Sequence, residues 1–216
     1  TSFGSPEWSA LRFTIKQAFF SAFLSVILAV PLARALARTE FRGRNLVVML
    51  LGAPFILPVI VAVLGLIAVF GQNGVLNGIL TFLGLGKISI YGFQGVLLAH
   101  VFFNLPLATR MLLFGWQALP NERIRLGQSL GFGAWPRFRF IEFPMLCKIA
   151  PSAFAIIFVI CLSSFAVALT LGGGPKSTTI ELAIYQAIRF DFDFAAAAIL
   201  GLMQLTLSMT AALTAL

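Results

Sequence analysis

His100 and Asn104 are well placed for chemistry in this sequence, because they are polar residues inside an otherwise apolar segment. Residues four apart share one face of a helix, so both would face the same neighbours. Polar groups in such segments usually face the interior of a helix bundle, where they hydrogen-bond another helix or line a path for solutes. Ser163 and Ser164 allow the same two interpretations. These four residues are therefore candidates for a translocation path, with helix packing as the favoured alternative.

The other reactive residues do not indicate catalysis or metal binding. The chain has one histidine and two cysteines, Cys147 and Cys161. On a continuous helix these cysteines would lie about 21 Å apart at about 1.5 Å per residue, far beyond the reach of a disulfide. The sequence contains no cluster that resembles a metal site or a nucleophile–base pair. It therefore predicts no catalytic residue, no metal site and no cofactor in this chain, which is not expected to be an enzyme.

The composition indicates which elements must position the candidate residues. Of the 216 residues, 60% are hydrophobic and only 10% are charged. Soluble domains are about 45–50% apolar and about 25% charged, so a soluble enzyme, a disordered region and a disulfide-stapled secreted module are excluded. Long apolar runs favour helices over barrel strands, which would alternate apolar and polar residues. The sequence therefore predicts an all-α integral membrane protein.

Charge-free stretches predict where the helices cross the membrane. A helix needs about 20 mostly apolar residues to cross a hydrocarbon core about 30 Å thick. The stretches predict about five spans, near residues 13–33, 46–70, 91–115, 149–171 and 195–216. The segment from Val75 to Leu83 is too short to cross, so we expect it to form a short helix in the membrane interface.

The distribution of basic residues predicts the orientation of these spans. Most of the basic residues lie in two connections, 34–44 and 117–148. Short connections that are rich in Lys and Arg face the cytoplasm. The connections 71–90 and 172–194 would then lie outside, with the N-terminus outside and the C-terminus inside. This topology explains the net charge of +8 without nucleic acid as a partner.

The connection 117–148 is long enough to have a function of its own. Asn121 is a suitable helix cap, and Gly131 is placed where a glycine in the left-handed conformation would end the helix. A second segment, from Trp135 to Phe143, mixes arginine with aromatic residues and is followed by Pro144. Two short helices parallel to the membrane would provide either a docking surface for another protein or a basic face for lipid headgroups. The residue pattern alone leaves both possibilities open.

This connection resembles the EAA loop of binding-protein-dependent ABC transporter permeases. That motif is roughly E-A-A-x-x-x-G, followed by nine residues and I-x-L-P. Its glycine, isoleucine and proline are matched here by Gly131, Ile141 and Pro144. Its Glu-Ala-Ala positions are occupied by Arg125, Leu126 and Gly127. The resemblance implies that these six residues belong to a loop that couples the chain to a cytoplasmic ATPase, although the motif's glutamate is replaced by arginine.

Two further stretches, 91–106 and 171–187, are similar to the thiamine branch of this family or to its close iron(III) relatives. The similarity runs along most of the chain and implies the type I ABC importer permease (MetI-like) fold. In that family one polypeptide carries two homologous multi-span halves. We therefore expect one permease domain over 1–216, corresponding to the N-terminal half without its first span.

The family resemblance implies transport by alternating access, with no chemistry performed by the chain itself. Cytoplasmic ABC ATPase subunits would bind ATP, and a periplasmic substrate-binding protein would deliver thiamine or its phosphates. A second homologous permease half would complete the path within the lipid of the bacterial inner membrane. The first alternative is a permease of the same family for iron(III) or another small solute. A secondary transporter or channel is a more distant alternative, because such proteins usually have charged residues inside their spans.

Overall fold

The computed structural model of the protein describes residues 5–172, 174 and 177–214. Gly173, Pro175 and Lys176, in the outer connection predicted over 172–194, lie outside the described residues, as do the two last residues of the span predicted at 195–216. All regular structure in the described chain is helical. The α-helices are α1 (Ser5–Arg38), α2 (Arg44–Leu50), α3 (Ala53–Ile56), α4 (Val59–Phe70), α5 (Val75–Phe82), α6 (Phe93–Gln117), α7 (Asn121–Ser129), α8 (Ala134–Arg137), α9 (Phe143–Leu162), α10 (Phe165–Leu171), α11 (Ile180–Arg189) and α12 (Phe194–Thr214). A π-helical segment, Phe138–Glu142, joins α8 to α9.

Several of these helices are long and apolar enough to cross a membrane. The described chain contains five such stretches: Glu7–Arg38, Val59–Phe82, Phe93–Gln117, Ala134–Leu162 and Phe194–Leu213. The second of them includes α4, the turn at 71–74 and α5. The expected fold class, an all-α multi-span bundle, is thereby confirmed.

The core of the bundle is formed by α1, α6 and α9, which pack against one another. The face of α1 toward the other two helices has alanines that are completely buried, Ala18, Ala22, Ala29 and Ala33. Small side chains allow helix backbones to approach closely, which is the usual basis of packing in membranes. Around this core, α10 packs on α4 and α6, while α12 packs on α9 and α11.

The second predicted span, near 46–70, is divided into α2, α3 and α4. Leu57 is extended, with φ −74° and ψ 132°, because the ring of the following Pro58 disfavours a helical backbone in the residue before it. A second interruption lies at Leu51 and Gly52, between α2 and α3. The span is predicted from the absence of charged residues, and this criterion does not detect either helix break.

The fourth predicted span, near 149–171, also differs from a single helix. It begins earlier, because the π-helical segment continues directly into α9 at Phe143, and Pro144 lies in the first turn after this junction. It is interrupted at Ser163 and Ser164, whose backbone angles are not helical (φ −103°, ψ 79° and φ −131°, ψ 44°). This interruption places Ser163 and Ser164 at a cavity beside α6.

Candidate functional site

The predicted coupling loop begins with α7, which ends at the glycine that the sequence indicated. Gly131 has φ +70°, so the predicted left-handed conformation is confirmed. The N–H of Phe132 donates to the carbonyl of Gly127 at 2.8 Å, the bond expected in a Schellman-type helix end. The chain therefore reverses sharply after α7 and returns along the π-helical segment.

Close packing joins the two arms of this loop. A Cβ atom added to Gly127, which is buried, would lie 3.0 Å from Cδ1 of Ile141 and 3.4 Å from Cδ2 of Phe132. The space at Gly127 therefore allows α7 to rest against the returning chain. Ile141 is thus a packing partner of the motif region, ten positions after Gly131.

A groove of about 560 Å³ lies between α7, the returning chain and the adjoining ends of α6 and α9. Four predicted loop residues line it: Leu126, Gly127, Ile141 and Pro144. Arg125 and Gly131 are not among the residues of the groove, and both are exposed. The structure therefore brings together the apolar part of the predicted site, while its charged residue faces outward.

Large apolar side chains are exposed beside this groove. They are Leu126, Leu130, Trp135 and Phe140, of which Leu130 and Trp135 are 71% and 70% exposed. Exposed apolar clusters of this kind mark contact with another protein or with a membrane. Three of these four side chains, those of Leu126, Leu130 and Phe140, line the groove itself.

A second region is a cavity of about 270 Å³ bordered by α6 and by the helix breaks at Leu57–Pro58 and Ser163–Ser164. All four predicted path residues, His100, Asn104, Ser163 and Ser164, line it. Interrupted helices that meet within the membrane are a common construction of solute sites in transporters, because the broken turns free backbone and side-chain polar groups.

Hydrogen bonds fix the polar residues of α6 that line the cavity. The Nδ1 atom of His100 lies 3.1 Å from Oγ of Ser21 on α1. The amide nitrogen of Asn104 donates to the carbonyl of His100 at 2.9 Å and to Sγ of Cys161 on α9 at 3.2 Å. Contacts within and between helices therefore satisfy one ring nitrogen of His100 and the amide nitrogen of Asn104. This agrees with helix packing, the alternative that the sequence favoured.

Other polar atoms of α1, of α6 and of the break at Ser163–Ser164 are buried without a hydrogen-bond partner among the described residues. They include Nε2 of His100, Oγ of Ser164, Oγ of Ser25 and Oε1 of Gln17. A buried polar group left unpaired costs about 1–3 kcal/mol. His100 and Ser164 line the cavity, so their unpaired atoms can gain from a hydrogen bond to a molecule bound there.

Sequence analysis did not identify the residues of α1 that support this region. Gln17 donates to the backbone carbonyl of Cys161 at 2.6 Å, and Ser21 contacts His100 as described. The available signal was the spacing of the buried polar residues Thr14, Gln17, Ser21 and Ser25, which recur every three or four positions as on one helix face. The sequence also did not identify Glu142, a buried carboxylate in the loop, as a functional residue.

The chain is similar to permeases of bacterial transport systems, although no protein-family profile matches it. The "Thiamine transport system permease protein ThiP" of Escherichia coli (strain K12) is 49% identical over 199 residues, which are 92% of this chain and 37% of that protein. The protein of the same name from Brucella abortus (strain 2308) is 44% identical over 204 residues, 94% of this chain and 38% of that protein. The chain thus spans little more than a third of the length of these relatives.

A solved structure is similar to this chain along nearly its whole length. A chain of the MetNI methionine ABC transporter, determined in inward-facing conformations, aligns with a TM-score of 0.74 and 14% identity. The alignment covers 99% of this chain and 96% of that one. At this low identity the likeness bears on the fold alone, and it confirms the MetI-like arrangement.

Proposed function

Because this chain belongs to the binding-protein-dependent ABC transporter permeases, we propose that it forms part of the membrane path of an ATP-driven importer for thiamine or its phosphates. The observation that carries the proposal is 49% identity over 199 residues with a thiamine transport system permease. Since the chain spans 37% of that relative, import is proposed for a larger permease, in which a second homologous half completes the path.

The cavity has a composition suited to a cationic heteroaromatic solute. Phe103 and Phe165 line it together with the neutral polar residues His100, Asn104 and Ser164. Aromatic faces stack on flat rings and attract cations, which matches the pyrimidine and thiazolium rings of thiamine. Nε2 of His100 and Oγ of Ser164, buried without partners among the described residues, are the groups proposed to hydrogen-bond the pyrimidine.

Docking of the ATPase subunits is proposed at the groove and its exposed apolar rim. Such a partner would remove four exposed apolar side chains from water, those of Leu126, Leu130, Trp135 and Phe140. Their burial favours association through the hydrophobic effect. Arg125 is exposed beside them, so the facing surface of the ATPase should be acidic. The ATPase subunits would bind the ATP, and this chain would need no cofactor.

The remaining surfaces fit a location in the bacterial inner membrane. Large apolar residues of α12, among them Leu202 and Leu213, are exposed, as required for contact with lipid or with the second permease half. The periplasmic substrate-binding protein is proposed to dock on the opposite side from the coupling loop, on the connections 71–90 and 172–194.

The proposal can be tested with the complete permease, reconstituted with its ATPase and binding protein. We expect a thiamine-loaded binding protein to increase the rate of ATP hydrolysis by the reconstituted complex. The same binding protein without solute is the control. Stimulation by a ferric-loaded binding protein and none by a thiamine-loaded one would assign the chain to the iron(III) branch instead.

A further inference from the structure

Glu142 is a buried carboxylate at the end of the π-helical segment, with only 3% of its side chain exposed. Its Oε2 atom accepts a hydrogen bond from Nε of Arg34 at 2.8 Å, and its Oε1 atom pairs with Arg38. The guanidinium of Arg34 also lies over the ring of Phe138, 5.0 Å from its centroid. The C-terminal end of α1 is thus attached to the predicted coupling loop through one carboxylate between two guanidinium groups.

The partners of Glu142 come from one face of α1. Arg34 and Arg38 are four residues apart, so they project from the same side of the helix and reach the same carboxylate. On the loop side, Glu142 directly follows Ile141, which lines the docking groove. A displacement of the groove wall must therefore displace the carboxylate as well.

The other end of this connection is the cavity. Between Arg34 and Ser21, α1 is helical throughout, with Pro31 inside this stretch, and these thirteen residue steps correspond to about 20 Å. Ser21 contacts Nδ1 of His100, and Gln17 donates to the carbonyl of Cys161. α9, which continues the loop covalently, is helical as far as Leu162 and contributes Ile160 to the cavity. α1 therefore provides a second helical connection, which begins at the ion pair and ends at the polar residues of α6.

From this geometry we propose that Glu142 is a positioning residue for energy coupling. Its pairing with Arg34 and Arg38 transfers the movement of the ATPase-driven loop to α1, and α1 transfers it to His100 and the cavity. The inference rests on the proposed function, since it needs an ATPase that moves the loop. It differs from a purely structural role, in which the pairing would only stabilise the folded chain.

The test compares Glu142→Gln with Arg42→Gln in proteoliposomes that contain the complete permease, the ATPase and the binding protein. Glutamine keeps the size of the side chain but removes the charge that two arginines share. Arg42 is an exposed basic residue in the same connection as the partners of Glu142 and is the matched control. In each variant we would measure recovery of the complex, ATP hydrolysis and uptake of labelled thiamine.

We expect Glu142→Gln to assemble and to hydrolyse ATP within about twofold of the unmodified complex, while uptake per ATP falls about tenfold, the order of change expected when the charge of a hydrogen-bonded ion pair is lost. Arg42→Gln should match the unmodified complex in all three measurements. The charge exchange Glu142→Arg with Arg34→Glu should restore part of the uptake, because it re-forms an ion pair at the same place.

Two results would overturn the inference. Unchanged uptake in Glu142→Gln would mean that the pairing does not transmit movement. A parallel loss of recovery, hydrolysis and uptake, with no rescue by the charge exchange, would identify a folding contact. If the unmodified complex neither imports thiamine nor responds to its binding protein, the proposed function itself fails, and the coupling role of Glu142 fails with it.

Discussion

At the scale of single residues, the two ring nitrogens of His100 have different surroundings. One ring nitrogen contacts Ser21, and the other is buried without a partner among the described residues. An unpaired buried nitrogen has a cost of about 1–3 kcal/mol, which a hydrogen bond to a solute would remove. The unsatisfied atom is the one that a solute in the cavity could use.

We therefore predict that His100→Phe lowers uptake of thiamine about three- to tenfold at low concentration. The variant keeps an aromatic ring but removes both nitrogens, and a hydrogen bond contributes about 0.5–1.5 kcal/mol. Thr109→Val is the control, since the buried hydroxyl of Thr109 bonds only Leu105 of its own helix. Equal losses in the two variants, measured as initial rates of uptake, would contradict a solute contact at His100.

A second residue-scale prediction concerns the reversal of the chain after α7. Gly131 has φ +70° and Gly133 has φ −67°, and a Cβ added to either would meet nothing within 4 Å. The two positions therefore differ in backbone conformation and not in available space. Gly131→Ala should cost about 1–2 kcal/mol in the left-handed region and weaken co-purification of the ATPase, while Gly133→Ala should not. Identical co-purification of both variants would show that the turn does not support docking.

At the scale of elements, the contact between α6 and α9 depends on Gly115. A Cβ atom at this position would collide with Cδ1 of Ile149 and lie 2.7 Å from Sδ of Met145. Gly115→Leu should destabilise the purified protein by about 1–3 kcal/mol, the usual cost of overpacking, and lower its thermal midpoint in detergent. Gly65→Leu on α4, where nothing lies within 4 Å, is the control and should leave the midpoint unchanged. A lower thermal midpoint for Gly65→Leu than for Gly115→Leu would mean that α6 and α9 do not pack closely at Gly115.

The helices themselves could be predicted from sequence because their physical signal is local. Charge-free runs indicated the long helices, and Gly131 indicated the end of α7. The interruption at Ser163–Ser164 has no comparable signal, since serine is tolerated within spans as well as between them. Pro58 is a local signal as well, but a proline can kink a helix or end it, and only the extended backbone of Leu57 decides between these outcomes.

The contacts that complete the two sites could not be predicted from a single sequence. Ser21 and His100 are 79 positions apart, and Arg34 and Glu142 are 108 positions apart. Nothing in the local pattern selects one serine or one arginine among several as the partner. The short-range pair His100 and Asn104 was accessible, because a spacing of four is sufficient to place both residues on one face.

At the scale of the whole molecule, the topology that places the coupling loop in the cytoplasm stays a prediction. In a variant with Cys147→Ser, which removes an exposed thiol, single cysteines at Arg42 and Lys87 should react from opposite sides of the membrane. Both positions are exposed, so an impermeant thiol reagent can be applied to intact cells and to inverted vesicles. Labelling of both cysteines from the same side would contradict the distribution of basic residues as the basis of the topology.

The measurement that tests the central claim most directly is uptake of labelled thiamine by proteoliposomes containing the complete permease with its ATPase and binding protein. We predict accumulation against a concentration gradient that requires both ATP hydrolysis and the binding protein. Thiamine that only equilibrates across the membrane, at the same rate with and without ATP, would contradict an ATP-driven importer and favour a channel or secondary transporter.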